Sequence, residues 1–366
     1  MKPPLHSRPP EAAVMQAATP ETAPAQGAQA LLRRLEWTVI RRLDGLLQGD
    51  YRTLLRGTGL DLADLREYQH HDDVRHIDWN VTARLQLPHV RVFTEDREMA
   101  AWFVLDLSAS VDFGSGQRLK AEVAQEFVGV LARLLTRHGN RVGALLFGGD
   151  EKTDGADAVI PARHGADAVI PARSGRSHVL RLLHALETHG EARRALRRAA
   201  DRRGSDGPPQ ATRLAEWLQS AAKLITRRST VFVVSDFISE KGWEKPLGQL
   251  AQRHEVVAVR LFDPLELDLP DLGLLSFRDA ETGEQLLVDT HDAGFRQRFA
   301  RLAAARENAL REAFGRAGVD ALELATDEDM VASLTRFTEL RKRRTHAGRG
   351  LARHGGGLPS HLRRVA

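Results

Sequence analysis

The chain has 366 residues, 42% of them hydrophobic and 28% charged, so it can bury a sizeable core and is not globally disordered. It contains no cysteine, which excludes disulfides, thiolate metal sites and a catalytic thiol. The net charge of +4 is unevenly placed, because residues 341–366 hold eight basic and no acidic side chains. Of the 53 basic residues, 45 remain in residues 1–340 beside all 49 acidic ones, which gives that part a charge of −4. The basic character therefore belongs to the C-terminal tail.

The first 28 residues are predicted to be a solvated, disordered tail. They hold six of the fifteen prolines and few bulky apolar side chains, a composition that favours polyproline II over a packed fold. The prolines interrupt the apolar stretch that a signal peptide needs. No window approaches the roughly 18 apolar residues of a membrane helix. We therefore expect a soluble protein without a membrane span, and the absence of cysteine fits a cytoplasmic location.

Residues 29–98 are predicted to form a helix and an irregular region ahead of the main domain. Between residues 31 and 47, five apolar residues recur at helical spacing: Leu32, Leu35, Val39, Leu43 and Leu46. Such a stripe is typical of an amphipathic helix. We prefer a helix packed on the protein's own core to one that lies on a membrane surface.

Residues 99–340 show the pattern of an α/β domain. Short apolar runs predict buried strands at residues 102–107, 142–147, 230–235, 256–262 and 321–324. Amphipathic segments predict helices at residues 117–138, 212–226, 292–316 and 327–340. Continuous apolar strands separated by helices indicate a mostly parallel, Rossmann-type sheet covered on both faces. A hairpin of residues 274–277 and 285–288 is expected at one edge of this sheet. Residues 341–366 are predicted to be a basic, disordered tail.

A tandem repeat interrupts the domain. Residues 155–164 (GADAVIPARH) and 165–174 (GADAVIPARS) are identical at nine of ten positions. Two copies of ten residues are too few and too short for a solenoid. An insertion of even length preserves the alternation of a strand, so either copy fits the same register. We expect one copy in the sheet and the other looped out or extending a hairpin.

Polar side chains follow two of the predicted strands where these strands end. Asp106, Ser108 and Ser110 follow the first strand, Asp236 follows the third, and Thr212 precedes the helix that leads into the third. In an open parallel sheet, ligands bind beyond the carboxyl ends of the strands, near the point where the strand order switches. Two carboxylates and three hydroxyls are hard oxygen donors that suit Mg²⁺ or Mn²⁺. The sequence therefore predicts a metal site with these five ligands.

A simpler interpretation of the same residues stays open at this point. Asp, Ser and Thr often cap helices, so Asp106, Ser108 and Ser110 could cap the helix after the first strand. Asp236 and Thr212 could serve as caps in the same way.

The five predicted ligands resemble the metal-ion-dependent adhesion site of von Willebrand factor A (vWA) domains. Further motifs surround them in a fixed order: residues 66–68 (REY), 72–75 (DDVR), 77–79 (IDW), 82–84 (TAR), 89–91 (HVR), 106–110 (DLSAS), 234–237 (VSDF), 263–266 (DPLE) and 279–283 (DAETG). Together they resemble the bacterial domain of unknown function 58 family, whose core is vWA-like. The resemblance covers residues 43–289.

The resemblance implies a binding role without enzymatic activity. In such sites the two serines and the threonine contact the metal, the two aspartates act directly or through water, and an acidic side chain of a partner fills the vacant position. Members often occur beside MoxR-type AAA+ ATPases, so the expected partner is such an ATPase or its client. The expected role is in the assembly, maturation or regulation of a protein complex.

Two other function classes are weighed. A metal-dependent hydrolase or phosphatase could use Asp106 as a nucleophile. However, haloacid-dehalogenase-like enzymes have a second aspartate where this chain has Ser108, and no nucleophile elbow or phosphate-binding glycine loop is present. The basic tail could bind nucleic acid or a membrane surface, but it lacks interleaved aromatic residues.

Overall fold

The computed structural model describes residues 23–46, 64–69, 74, 77–92, 100–148, 160–161, 166, 168–203, 212–278 and 285–353. In chain order the described strands are β1 (Asp64–Glu67), β2 (His89–Val92), β3 (Ala100–Asp106), β4 (Arg141–Phe147), β5 (Ile160–Pro161), β6 (Ala168–Arg173), β7 (Thr230–Ser235), β8 (Glu255–Phe262), β9 (Leu274–Arg278), β10 (Gln285–Asp289) and β11 (Asp320–Ala325). The α-helices are α1 (Ala23–Leu35), α2 (Arg41–Leu46), α3 (Trp79–Leu85), α4 (Lys120–Arg137), α5 (Arg176–Arg203), α6 (Leu214–Leu224), α7 (Glu244–Arg253), α8 (Ala293–Ala317) and α9 (Met330–Arg353). A π-helical turn, Glu36–Ile40, joins α1 to α2.

The main sheet has seven strands in the order β11-β8-β7-β3-β4-β6-β5. The five strands from β11 to β4 are parallel, while β6 and β5 are antiparallel to their neighbours. The chain starts the sheet at its centre with β3, continues on one side with β4, the outermost β5 and then β6 between them, and returns to the other side of β3 with β7. The strand order therefore switches between β3 and β7, which is where sheets of this type bind ligands.

Helices cover both faces of the sheet, as the continuous apolar strands predicted. On β3, Phe103 and Leu105 face the helices α1, α4, α5 and α9, whereas Val104 faces α6, α7 and α8. Phe103 packs against Phe127 of α4 and Phe232 of β7, with ring centroids 6.2 and 5.4 Å away. The structure thus confirms the predicted α/β, vWA-like fold with a mostly parallel sheet between two helical layers.

The N-terminal helix is part of this core. Leu32 and Leu35 of α1, Ile40 of the π-helical turn and Leu43 of α2 are all buried. The amphipathic stripe therefore packs on the protein itself, as preferred above. The boundary of the predicted N-terminal tail is wrong, because α1 begins at Ala23 and Ala28 is buried. Residues 1–22 lie outside the described part of the chain.

The predicted C-terminal boundary is also wrong, because α9 continues past residue 340 to Arg353. Arg341 is buried, and it forms ion pairs with Asp320 of β11, at 2.8 Å, and with Glu255 of β8. The first residue of the predicted basic tail therefore fastens α9 to the sheet. Residues 354–366 lie outside the described part of the chain.

The predicted edge hairpin is a separate sheet. Strands β9 and β10 pair only with each other among the described strands, and the turn between them is not described. The edge position beside β8 is taken by β11, whose Leu322 and Leu324 are buried. By contrast, Leu274 and Leu287 of the hairpin are exposed. β11 occupies this edge of the main sheet because it buries more apolar surface than the hairpin strands do.

The second copy of the repeat enters the sheet as β6, and two residues of the first copy pair with it. Ile160 and Pro161 form β5, opposite Val169 and Ala168. This matches the expectation that one copy lies in the sheet while the other extends a hairpin. Residues 155–159 and 162–165 are outside the described part.

Candidate functional site

The candidate site lies at the carboxyl ends of β3 and β7, the two neighbouring strands between which the strand order switches. Asp106 is the last residue of β3, Ser235 is the last residue of β7, and Asp236 follows it directly. The Ser235 hydroxyl donates a hydrogen bond of 2.6 Å to Asp106 Oδ2. Both aspartates are buried. The fold therefore brings the two predicted carboxylates together.

The segment after β3 folds back over the Asp106 carboxylate. The Ser108 amide donates to Asp106 Oδ1 at 2.7 Å, and the hydroxyls of Ser108 and Ser110 lie 3.0 Å apart. Ser110 sits in a 3-10 turn, Ala109–Asp112, and both serines are buried. The Asp106 carboxylate and the two serines thus lie together beyond the end of β3, as expected for residues at one strand end.

Helix capping does not account for these side chains. Helix α4 begins at Lys120, and its first turn is closed by the Glu122 carboxylate, which accepts from the Leu119 amide at 3.0 Å. Ser108 precedes the 3-10 turn but makes no side-chain capping bond there. Asp236 accepts from the Ile238 amide at 3.0 Å, whereas the next helix starts only at Glu244. The capping interpretation is therefore wrong for Asp106, Ser108, Ser110 and Asp236.

The surroundings of Asp106 disfavour the ionised form of its carboxyl group. Burial, and then the negative charge of Asp236, raise the pKa of the Asp106 carboxyl from 3.8 to about 6. Hydrogen bonds from Ser108 and Ser235 act in the opposite direction but are outweighed. Two carboxylates close together in a buried site favour the binding of a cation or a cationic side chain beside them. This is the electrostatic condition for a cation site.

A lysine that the sequence analysis did not select completes the cluster. Lys120 Nζ donates to Asp236 Oδ2 at 2.8 Å and to Glu266 Oε1 at 2.7 Å. Burial lowers the pKa of the Lys120 ammonium, but the charges of Asp236 and Glu266 and their hydrogen bonds outweigh burial and raise it overall. Its signal in the sequence is its place on the apolar face of α4, three and seven residues before Val123 and Phe127.

Asp263 fixes the segments around Lys120 through four hydrogen bonds. Its carboxylate accepts from the Ser115 amide at 2.8 Å, from the Ser115 hydroxyl and the Thr326 hydroxyl at 2.6 Å each, and from the Leu265 amide at 3.0 Å. Burial raises the pKa of Asp263, yet these hydrogen bonds lower it overall. Because Asp263 caps the 3-10 turn Pro264–Glu266, it also positions Glu266 against Lys120.

Thr212 is buried and joined to the same region through its backbone. Its carbonyl accepts from the Ser239 hydroxyl at 2.5 Å and from the Glu240 amide at 3.1 Å. The Ser239 hydroxyl in turn accepts from the Leu214 amide at 3.1 Å. These contacts bring Thr212 to the loop that follows Asp236. The role of its hydroxyl as a metal ligand stays a prediction.

The donor set fits a hard cation. Asp106, Asp236, Ser108 and Ser110 offer only oxygen, which is what Mg²⁺ and Mn²⁺ prefer. The residues described in the structure contain no cluster of three or more His, Asp or Glu side chains placed to hold a metal ion. A cation at this site would therefore depend on the serine hydroxyls as well as on the two carboxylates.

The fold and the site define a vWA-like α/β protein with a polar site at the switch point of its sheet. The chain belongs to the family described as Protein of unknown function DUF58, which it matches over residues 64–309. The resemblance found in the sequence is thereby confirmed. None of the helices in the described ranges is both long and apolar enough to cross a membrane.

Mycobacterial proteins are among the similar sequences. Uncharacterized protein Rv1480 of Mycobacterium tuberculosis is 36% identical over 319 residues, which cover 87% of this chain and 91% of the relative. Uncharacterized protein MAV169 of Mycobacterium avium is 40% identical over 123 residues, or 34% of this chain and 72% of the relative.

Two solved structures are also similar. BatB, a conserved hypothetical protein from Bacteroides thetaiotaomicron, has a TM-score of 0.39 at 15% identity, covering 67% of this chain and 99% of that chain. An aerotolerance-related membrane protein from Bacteroides fragilis has a TM-score of 0.36 at 16% identity, with the same coverage.

Proposed function

We propose that the protein is a non-enzymatic, metal-dependent protein-binding module whose candidate site is a metal-ion-dependent adhesion site. The observation that carries the proposal is the cluster at the switch point, where the Ser108 amide donates to the Asp106 carboxylate and the Ser108 and Ser110 hydroxyls lie 3.0 Å apart. Asp106, Ser108, Ser110, Thr212 and Asp236 would hold Mg²⁺ or Mn²⁺.

The chemistry of this set suits capture of an acidic partner. Serine and threonine oxygens are neutral, so they hold a cation without cancelling its charge. When bound, the metal supplies a strong local positive charge that attracts a carboxylate. Asp106 is held in one orientation by Ser108 and Ser235, so the ligand is preorganised before any partner arrives.

The proposed partner is a MoxR-type AAA+ ATPase or its client, on the strength of the family resemblance. In this proposal the protein acts in the cytoplasm, in the assembly, maturation or regulation of a protein complex. The partner contributes an acidic side chain to the vacant metal position.

A capture experiment tests the proposal. The tagged full chain and its Asp106→Ala variant are used as bait in extracts of the native cell, in Mg²⁺ and in EDTA. We expect wild type to retain an AAA+ ATPase or its client in Mg²⁺ alone, and Asp106→Ala to lose it. Asp268→Ala, which removes an exposed carboxylate outside the cluster, should retain it. Equal capture in EDTA and in Mg²⁺ would show that the interaction does not use a metal.

A further inference from the structure

Lys120 puts a positive charge inside the candidate metal site. Its side chain and that of Asp236 are each 1% exposed, and that of Glu266 is 15% exposed. Resting on the proposed function, we infer that Lys120 is a tethered counterion. It competes with the divalent cation for Asp236, and Glu266 receives its ammonium group when the cation binds.

The contacts of Asp236 leave no unoccupied carboxylate oxygen. Oδ2 accepts from Lys120, and Oδ1 accepts from the Ile238 amide at 3.0 Å. A cation that binds Asp236 through Oδ2 must therefore share that oxygen with the Lys120 ammonium or displace the ammonium. Displacement needs little movement, because Nζ already lies 2.7 Å from Glu266 Oε1.

The charges of the cluster fit one divalent cation. Three carboxylates, those of Asp106, Asp236 and Glu266, face a single ammonium, which leaves two negative charges when all are ionised. Mg²⁺ neutralises that excess. Lys120 nevertheless opposes the cation, since like charges a few ångströms apart in a buried site repel each other strongly. Lys120 thus holds the affinity of the site for a cation below what its carboxylates alone would give.

This arrangement links metal and partner. A carboxylate brought by a partner adds negative charge at the site and offsets the repulsion between Lys120 and the cation. Each ligand therefore raises the affinity of the other by the same factor. The module binds the metal weakly by itself and tightly together with its acidic partner.

Mn²⁺ binding to the full chain tests the inference, measured by titration calorimetry and by the electron paramagnetic resonance signal of free Mn²⁺. Lys120→Met should bind Mn²⁺ at least about tenfold more tightly than wild type, because a like charge has been removed. Glu266→Gln should bind more weakly, because Lys120 then has no second carboxylate. Arg260→Met removes a buried arginine that pairs with Glu307 outside the site and should leave the affinity unchanged.

A structural salt bridge predicts a different pattern. If Lys120 only stabilises the fold, Lys120→Met and Glu266→Gln should both weaken or both preserve Mn²⁺ binding, and either result overturns the inference. Lys120→Gln provides a second neutral variant if Lys120→Met does not fold. If both fail to fold, Glu266→Gln decides alone, and unchanged or tighter binding refutes the inference.

The proposed function and the inference fail in different ways. Mn²⁺ binding that is lost in Asp106→Ala but is no tighter without Lys120 refutes the inference and leaves the metal site standing. No Mn²⁺ binding that depends on Asp106, in wild type or in any Lys120 variant, refutes both.

Discussion

Replacement of Asp106 by asparagine should stabilise the metal-free protein. The folded pKa of Asp106 is about 6, raised from 3.8 by burial and by the charge of Asp236. Between pH 4 and pH 6 the folded state therefore binds more protons than the unfolded state. The free energy of unfolding therefore falls as the pH rises through this window. Above pH 6 the ionised Asp106 carboxylate destabilises the folded state to its full extent.

The size of the effect follows from the same pKa change. A pKa change of one corresponds to about 1.4 kcal/mol, so the ionised Asp106 carboxylate destabilises the folded state by about 3 kcal/mol above pH 6. Asparagine carries no charge, keeps an oxygen for the Ser108 amide and offers an N–H to Ser235. Part of the gain is lost because the hydrogen bonds to an amide are weaker than those to a carboxylate. We expect Asp106→Asn to raise the free energy of unfolding by about 1–2 kcal/mol at pH 8.

Urea denaturation in EDTA at pH 4, 6 and 8 measures this difference for wild type and Asp106→Asn. The gain should be largest at pH 8 and near zero at pH 4, where wild type is also protonated. Asp268→Asn, at an exposed carboxylate, should change the free energy by less than about 0.5 kcal/mol at every pH. A variant less stable than wild type at pH 8, or a gain independent of pH, would refute the reasoning.

Three further substitutions test the supports of the site and of the last helix. Gly148→Ala should lower the free energy of unfolding by about 2 kcal/mol or more, because Gly148 has φ +113° and a Cβ atom there would lie 2.7 Å from the Ser108 amide nitrogen. The control is Gly116→Ala, whose Cβ atom meets no atom within 4 Å. An equal loss in the two variants would contradict this. Asp263→Ala should cost about 3 kcal/mol by urea denaturation, since it removes the acceptor of four hydrogen bonds; a cost below 1 kcal/mol would be inconsistent with that role. Arg341→Met should lower the thermal midpoint by an amount equivalent to about 2 kcal/mol, whereas Arg316→Met, in an exposed pair on α8, should change it little.

The sequence predicted the five parallel strands of the main sheet and the two aspartates of the site for one physical reason. Buried parallel strands read as continuous apolar runs, so their ends are visible, and side chains at those ends converge whatever the details of packing. Asp106 and Asp236 could therefore be placed together without coordinates. Ser108 and Ser110 could be placed with them because they lie within four residues of Asp106, just beyond the end of the same strand.

The rest depended on contacts that no local pattern records. Lys120 reads as a first-turn residue of a helix, and only the packing of α4 against the ends of β7 and β8 brings it to Asp236 and Glu266. The β9–β10 hairpin was assigned to the wrong sheet because its pattern does not say which strand lies beside it. Arg341 was assigned to a tail because its partners lie far away in the sequence.

The duplicated decapeptide changes what the sheet presents to other chains. The edge strand of a sheet has unpaired backbone N–H and C=O groups, with which a strand of a second molecule can pair. Here β6 is shielded by β5, a strand of only two residues, Ile160 and Pro161. Proline has no N–H to offer, so the outer strand is short and poor in donors. The pairing covers two of the six residues of β6, so this side of the sheet ends in a short strand that offers few backbone donors to a second chain.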